Sequence, residues 1–327
     1  MPRSLVIRVT GLLALVLLCT SFFWLGPLTS LVTHSGGNSA NTAHAASPRL
    51  SFHQYADGPY HVSGNQIIGA DNQPYIFHGV ARDGYEFSCI GGVPGTADSA
   101  HLAFMGPGNS SSSGTYWFSN TVRLPLSQAL WLGGDPKQSC SAAQYQANVK
   151  ATVDALTALN MNVIIDLQQS DANGTAPVPG AGFEMPDARS VTFWQQVAPV
   201  YASYKNVLFE LYNEPHIGGG TPPFSTADWQ CWQNGCAITG DTSAGNQTSY
   251  NYTAVGMQAL INAVRGKGAN NPVIVAGLNW GFDLSQYPTY KLTGSNIVLD
   301  AHPYSWSGKN NSTEWDSAFG FLTSTYP

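Results

Sequence analysis

Val207-Leu208-Phe209-Glu210-Leu211-Tyr212-Asn213-Glu214-Pro215-His216 is the stretch from which the rest of the chain is read. Val207 to Tyr212 have strand-forming character, the polar pair Asn213 and Glu214 follows, and Pro215 stops the strand. A carboxylate is thereby placed at the C-terminal edge of a strand. Parallel α/β sheets and barrels build their chemistry at that edge, where loops shape a cleft. A glutamate there, beside an amide able to hydrogen-bond a hydroxyl, suits proton donation to a sugar leaving oxygen.

Outward from this stretch, five further segments read as strands: 74–80, 121–125, 162–167, 272–276 and 296–301. The crossovers between them are long enough for helices. Val149, Val153, Leu156 and Leu159 give 141–159 a helical period with Ser141 as N-cap, and 191–204, 249–265 and 313–325 read as helices too. Ser63-Gly64-Asn65 joins two short strands into a hairpin that would close the bottom of a barrel. The sum is an α/β chain with a parallel barrel rather than an all-β sandwich. Polar residues recur at the strand ends: Arg123, Gln168, Asn213 with Glu214, and His302 with Tyr304. Arg123, inside Val122-Arg123-Leu124-Pro125, is costly to bury without a carboxylate partner and is therefore expected to reach a charged site.

Asn213-Glu214-Pro215-His216 after an apolar strand resembles the signature of glycoside hydrolase family 5, the cellulase-like retaining enzymes built on (β/α)8 TIM barrels. The resemblance covers 60–327 and about six of eight βα units. It implies that Glu214 is the acid/base and that Asn213 contacts the substrate 2-hydroxyl. It also implies that Arg123 lies beneath the nucleophile and keeps it ionised, and that His302 and Tyr304 support nucleophile and sugar. Gln168 stands where members commonly carry histidine. A retaining mechanism needs a second carboxylate about 5 Å from the first. In the family it follows strand seven, after a helix ending in Tyr-Pro, and Tyr326-Pro327 are the last residues here. The chain thus reads as C-terminally incomplete, carrying the acid/base without the nucleophile, with little or no hydrolytic activity of its own.

Tyr85, Trp131, Trp280, Tyr304 and Trp306 fall on presumed top-face loops, where aromatic faces would stack on sugars. With 12% aromatic and 10% charged residues, a neutral β-linked polysaccharide is favoured, cellulose or another β-glucan first and mannan second. The rival is a non-catalytic carbohydrate-binding protein of the same fold. No cofactor and no metal are expected, and no Gly-x-Ser-x-Gly elbow supports an esterase.

Arg3 and Arg8 precede an apolar run over 9–28, and Ala43-His44-Ala45 is a small-residue cleavage site, so 1–46 reads as a signal peptide or membrane anchor plus tether and 47–327 as the barrel domain. The leader holds two arginines and no acid, which leaves 11 basic against 19 acidic residues, a net charge of −8 on the remainder. Nucleic acid is excluded as a partner. Four cysteines in an exported chain favour disulfides over zinc: the 231–236 loop is the easiest to close, leaving Cys89 with Cys140. The expected protein is secreted or held at the cell surface, and monomeric when full length.

Overall fold

The computed structural model describes residues 53–89, 99–107, 117–135, 138–170, 182–243, 249–305 and 309–327. The leader 1–46 and Trp306 lie outside the described residues.

The hairpin forms as expected, with β1 (His61–Ser63) antiparallel to β2 (Gln66–Ile68) around Gly64 at φ 59°. Six parallel strands follow along the chain: β3 (Gly79–Ala81), β4 (Thr121–Ser127), β5 (Asn162–Gln169), β6 (Val207–Glu210), β9 (Val273–Ala276) and β10 (Ile297–Asp300), ordered β10-β9-β6-β5-β4-β3. Together they form a half-barrel. Between β6 and β9 the chain adds a separate antiparallel pair, β7 (Gly235–Asp241) and β8 (Tyr250–Val255). The helices are α1 (Ser99–Met105), α2 (Gln128–Leu132), α3 (Ala142–Ala158), α4 (Ala188–Tyr201), α5 (Thr226–Asn234), α6 (Met257–Arg265), the kinked turn α7 (Leu278–Gly281) and α8 (Ser312–Ala318).

Helix starts follow their caps. Ser141, Asp187 and Ser225 each accept the backbone N–H three residues on, and each is answered by that residue's side chain; such reciprocal boxes satisfy donors that a helix cannot pair internally. The predicted helix over 249–265 is corrected. Its first part is β8, because Tyr250, Tyr252, Thr253 and Val255 favour a pleated strand, and α6 begins only after Gly256. A Cβ at Gly256 would lie 2.1 Å from the Gln233 carbonyl oxygen. The first barrel strand is also later and shorter than 74–80.

Strand alternation sorts side chains into two cores. Val163, Ile165, Val207, Phe209, Val273 and Val275 face the helices in the main core. Ile164, Leu208, Ile274 and Val298 face the concave side and meet Tyr60 and Tyr75 in a smaller cluster. The hairpin region plugs the barrel's N-terminal end, with Tyr60 donating to Asn162 Oδ1 at 2.7 Å and Val62 N to Asn296 Oδ1 at 3.0 Å. Two residues further along the strands, on the same concave face, the pattern turns polar at Asp166, Glu210 and Asp300. The site is built on that layer.

Both expected disulfides are present, Cys89–Cys140 and Cys231–Cys236. Among the described residues no helix is long and apolar enough to cross a membrane.

Candidate active site

Arg123, from the middle of β4, is the hub of the polar layer. Its Nε donates to Glu210 Oε2 at 2.6 Å and its Nη2 to Glu210 Oε1 at 2.6 Å, a bidentate pair. Nη2 also donates to Asn213 Oδ1 at 2.8 Å and lies 2.9 Å from Asp166 Oδ2, while Nη1 donates to Gln168 Oε1 at 3.2 Å. Burial disfavours the guanidinium charge, but Asp166 and Glu210 more than offset it and push its pKa up. Asp166 is fully enclosed, and burial raises its carboxyl well above the ordinary range against the pull of Arg123.

Glu214 follows β6 by four residues. Its φ of 51° places a non-glycine residue in the left-handed region, a conformation that costs about 1–3 kcal/mol and persists where surrounding contacts enforce it. Those contacts are evident. Tyr304 donates its hydroxyl to Glu214 Oε1 at 2.6 Å, and His302 Nδ1 meets the same oxygen at 3.0 Å. His302 Nε2 meets Asp300 Oδ2 at 3.0 Å and lies 4.0 Å from Glu210 Oε1. The network is continuous from Asp166 through Arg123, Glu210 and His302 to Glu214.

Electrostatics follow from these contacts. Burial works against a charged His302, but the carboxylates of Asp300 and Glu214 on its two ring nitrogens hold its pKa at about 10. Burial raises the Glu214 carboxyl, yet the hydrogen bonds from His302 and Tyr304 outweigh it and leave the group below its usual value. Tyr304 is pushed up to about 12 by burial and by the hydrogen bond it makes to Glu214. As arranged, the site holds an ionised Glu214 against an imidazolium.

The turn of α7 forms one wall. Asn279 and Trp280 both have left-handed φ, 56° and 58°. Trp280 N donates to the Pro215 carbonyl at 3.2 Å, and Lys309 Nζ donates to the Asn279 carbonyl at 2.6 Å. The Trp280 ring stacks on His216, centroids 3.4 Å apart. Gly220, at φ 73°, leaves room for the indole, since a Cβ there would lie 2.2 Å from Trp280 Nε1.

Arg123, Gln168, Asn213, Glu214, His302, Tyr304 and Trp280 therefore gather at one end of the sheet. Arg123 meets Glu210, Asp166, Asn213 and Gln168 there. Tyr85 is a correction: it is fully buried and its hydroxyl bonds Thr152 of α3 at 2.5 Å, so it packs the core instead of facing a sugar. Trp131 is buried likewise. Three residues of the site region, Glu210, Asp300 and Lys309, were not singled out by sequence reading, and His216 was read only as part of the signature, with no role of its own. Glu210 had a signal, an acid ending an apolar strand in a chain whose Arg123 needed a partner. Asp300 had the alternation signal, two residues before His302. Nothing local marks Lys309.

A half-barrel with an arginine, paired carboxylates, a histidine and a tyrosine at the carboxyl ends of its strands defines a TIM-barrel protein with an acidic centre. The sequence pattern of the family described as Cellulase (glycosyl hydrolase family 5) matches residues 112–325, and the chain belongs to that family. It is similar to the manganese dependent endoglucanase Eg5A of Phanerodontia chrysosporium, 28% identical over 254 residues, 73% of this chain and 53% of that protein. It is also similar to an endoglucanase of Clostridium saccharobutylicum, 25% identical over 81% of this chain and 46% of the other. The chain spans about half the length of these curated relatives. Among solved structures, the beta-glucanase SdGluc5_26A from Saccharophagus degradans in complex with cellotetraose superposes with a TM-score of 0.56 at 21% identity, covering 88% of this chain and 77% of that one. The catalytic domain of Thermobifida fusca endoglucanase Cel5A gives 0.52 at 17% identity, covering 83% and 72%. These structural likenesses establish the shared fold.

Proposed function

We propose that the chain binds a neutral β-linked polysaccharide, cellulose or another β-glucan first and mannan second, and carries the acid/base of a retaining hydrolysis, Glu214. The observation that supports this most is the seat of Glu214, at the carboxyl end of a barrel strand in a glycoside hydrolase family, with one oxygen shared by His302 and Tyr304. A proton donor needs a raised pKa, and Glu214 sits below its usual value. A second carboxylate about 5 Å away would raise it by like-charge repulsion and compete for the same two donors. Among the described residues the nearest acids are committed elsewhere, Glu210 to Arg123 and Asp300 to His302.

This commitment favours a second reading, a carbohydrate-binding protein without turnover, and one experiment separates the two. An external anion can fill the nucleophile's place. With an aryl β-cellobioside and added azide, azide attacks the anomeric carbon as the bond from that carbon to the glycosidic oxygen breaks, giving the inverted α-cellobiosyl azide and the phenol. Glu214 supplies the leaving group's proton where the phenol is a poor one. Azide-dependent product that falls at least tenfold in Glu214→Gln on a poor leaving group supports the hydrolase. Oligosaccharide binding with no azide product supports the binding protein.

The leader and the two disulfides support export to an oxidising compartment. Retention of 1–46 as an anchor and a monomeric state belong to the same proposal.

A further inference from the structure

Lys309 is 7% exposed, and its ammonium is held without a carboxylate. Nζ donates to the Asn279 carbonyl at 2.6 Å and lies over the rings of Phe282 and Tyr304, 5.3 and 5.8 Å from their centroids. An enclosed ammonium gripped by a carbonyl and two ring faces is costly to keep in the absence of an ion pair.

The carbonyl it grips belongs to the peptide unit that joins Asn279 to Trp280. The N–H of that same unit donates to the Pro215 carbonyl at 3.2 Å. Lys309 and the residue after Glu214 thus hold one peptide plane from its two opposite edges. A cation on the oxygen polarises the unit and makes its N–H the better donor. Two residues along from Asn279, the Gly281 carbonyl accepts from His302 N at 3.0 Å. All three residues of this turn are left-handed, with φ of 56°, 58° and 76°, and for Asn279 and Trp280 that conformation persists only where neighbours enforce it. The packing is tight as well, since a Cβ at Gly281 would lie 3.0 Å from His302 Cγ.

We propose that Lys309 is a positioning residue of the Glu214 centre, locking the turn 279–281 so that the turn fixes the main chain beside Glu214 and at His302. The proposal rests on Glu214 being the working carboxylate. With the main chain fixed at both places, His302 Nδ1 and the Tyr304 hydroxyl converge on Glu214 Oε1. The groups facing Glu214 are then His302, Tyr304 and Lys309, with Asp300 and Glu210 behind the imidazole. Charge acts in the same sense as geometry. Burial disfavours the Lys309 ammonium and lowers its pKa, while the Glu214 carboxylate pulls the other way; in return Lys309 adds to the pull that keeps Glu214 ionised. An acid/base gives up its proton and takes one back, and Lys309 weights Glu214 toward the form that takes it.

The test compares amide hydrogen exchange in the whole protein, in Lys309→Met, which keeps the stem without donor or charge, and in Lys309→Arg, which keeps both. In Lys309→Met the Trp280 and His302 amides are expected to exchange about tenfold faster, the worth of one charged hydrogen bond, while the amide of Ile165, buried in β5, keeps its rate. Lys309→Arg is expected to restore slow exchange, and the Glu214 carboxyl, followed by carbon-13 NMR, is expected to titrate at higher pH in Lys309→Met. Unchanged exchange at Trp280 and His302, or an acceleration shared equally by Ile165, overturns the proposal. If Lys309→Met does not fold, the unsubstituted protein decides: the Lys309 Cε signal is expected to step as Glu214 titrates and to lose that step in Glu214→Gln, and a Cε signal without the step overturns the proposal. Neither measurement involves a sugar, so a failure of the azide reaction would remove the hydrolase reading and leave this one standing.

Discussion

Arg123 and Glu210 face each other across the strand between them, joined by two hydrogen bonds of 2.6 Å. The pair, with Asp166, places one guanidinium between two acids under the floor of the cleft. Truncating it leaves two buried carboxylates without their cation, so Arg123→Met is expected to destabilise the fold by about 3–5 kcal/mol. Arg123→Lys keeps the charge but not the fork and should recover only part of the loss. Urea unfolding of the three proteins checks this. A midpoint unchanged in Arg123→Met would show the network to be ornamental.

His302 makes stability depend on pH in a defined direction. Its folded pKa is about 10, above the ordinary imidazole value near 6.5. The stabilisation is therefore complete below about pH 6.5 and is lost as pH rises toward 10, with a slope of at most about 1.4 kcal/mol per pH unit from this one group. His302→Gln should flatten that part of the curve. Thermal melts between pH 6 and 10 provide the measurement, and an imidazole that titrates near 6.5 by NMR would refute it.

Gly220→Ala is expected to act at a distance from its own backbone. The substitution strains a residue held at φ 73° and drives a methyl against the Trp280 indole, at a cost of about 1–3 kcal/mol. Trp280 fluorescence should shift, and cellotetraose affinity should fall with it. An unaltered emission spectrum would show that the indole has room the geometry does not indicate.

The two disulfides should differ in worth. Cys89–Cys140 closes a separation of 51 residues and Cys231–Cys236 one of 5. On loop-closure entropy alone, serine replacement should cost about 4 kcal/mol for the first and about 2 kcal/mol for the second. Equal losses in denaturant titrations would mean that native packing, not chain entropy, carries the difference.

Much of this arrangement was legible before any coordinates. The parallel strands were marked by short apolar runs, and the site by polar residues recurring at their ends. His302 shares a face with Asp300, the last residue of β10, because it follows it by two, a rule that sequence alone carries, whereas Glu214 and Tyr304 reach it from loop positions beyond their strands. What stayed hidden depends on partners far along the chain. Tyr85 looked like a loop aromatic because nothing near it announces Thr152 of α3 as its partner. The 249–265 segment looked helical because its aromatic alternation is short and its strand partner lies beyond a loop. Lys309 reaches Asn279 across 30 residues, and no local pattern could report that.

The β7–β8 pair hydrogen-bonds to itself in a sheet of its own, tied to the end of α5 through Cys231–Cys236. Its sequence can drift without disturbing any rung of the parallel ladder. An appendage joined in this way can lengthen, shorten or change composition while the six-stranded frame keeps its register.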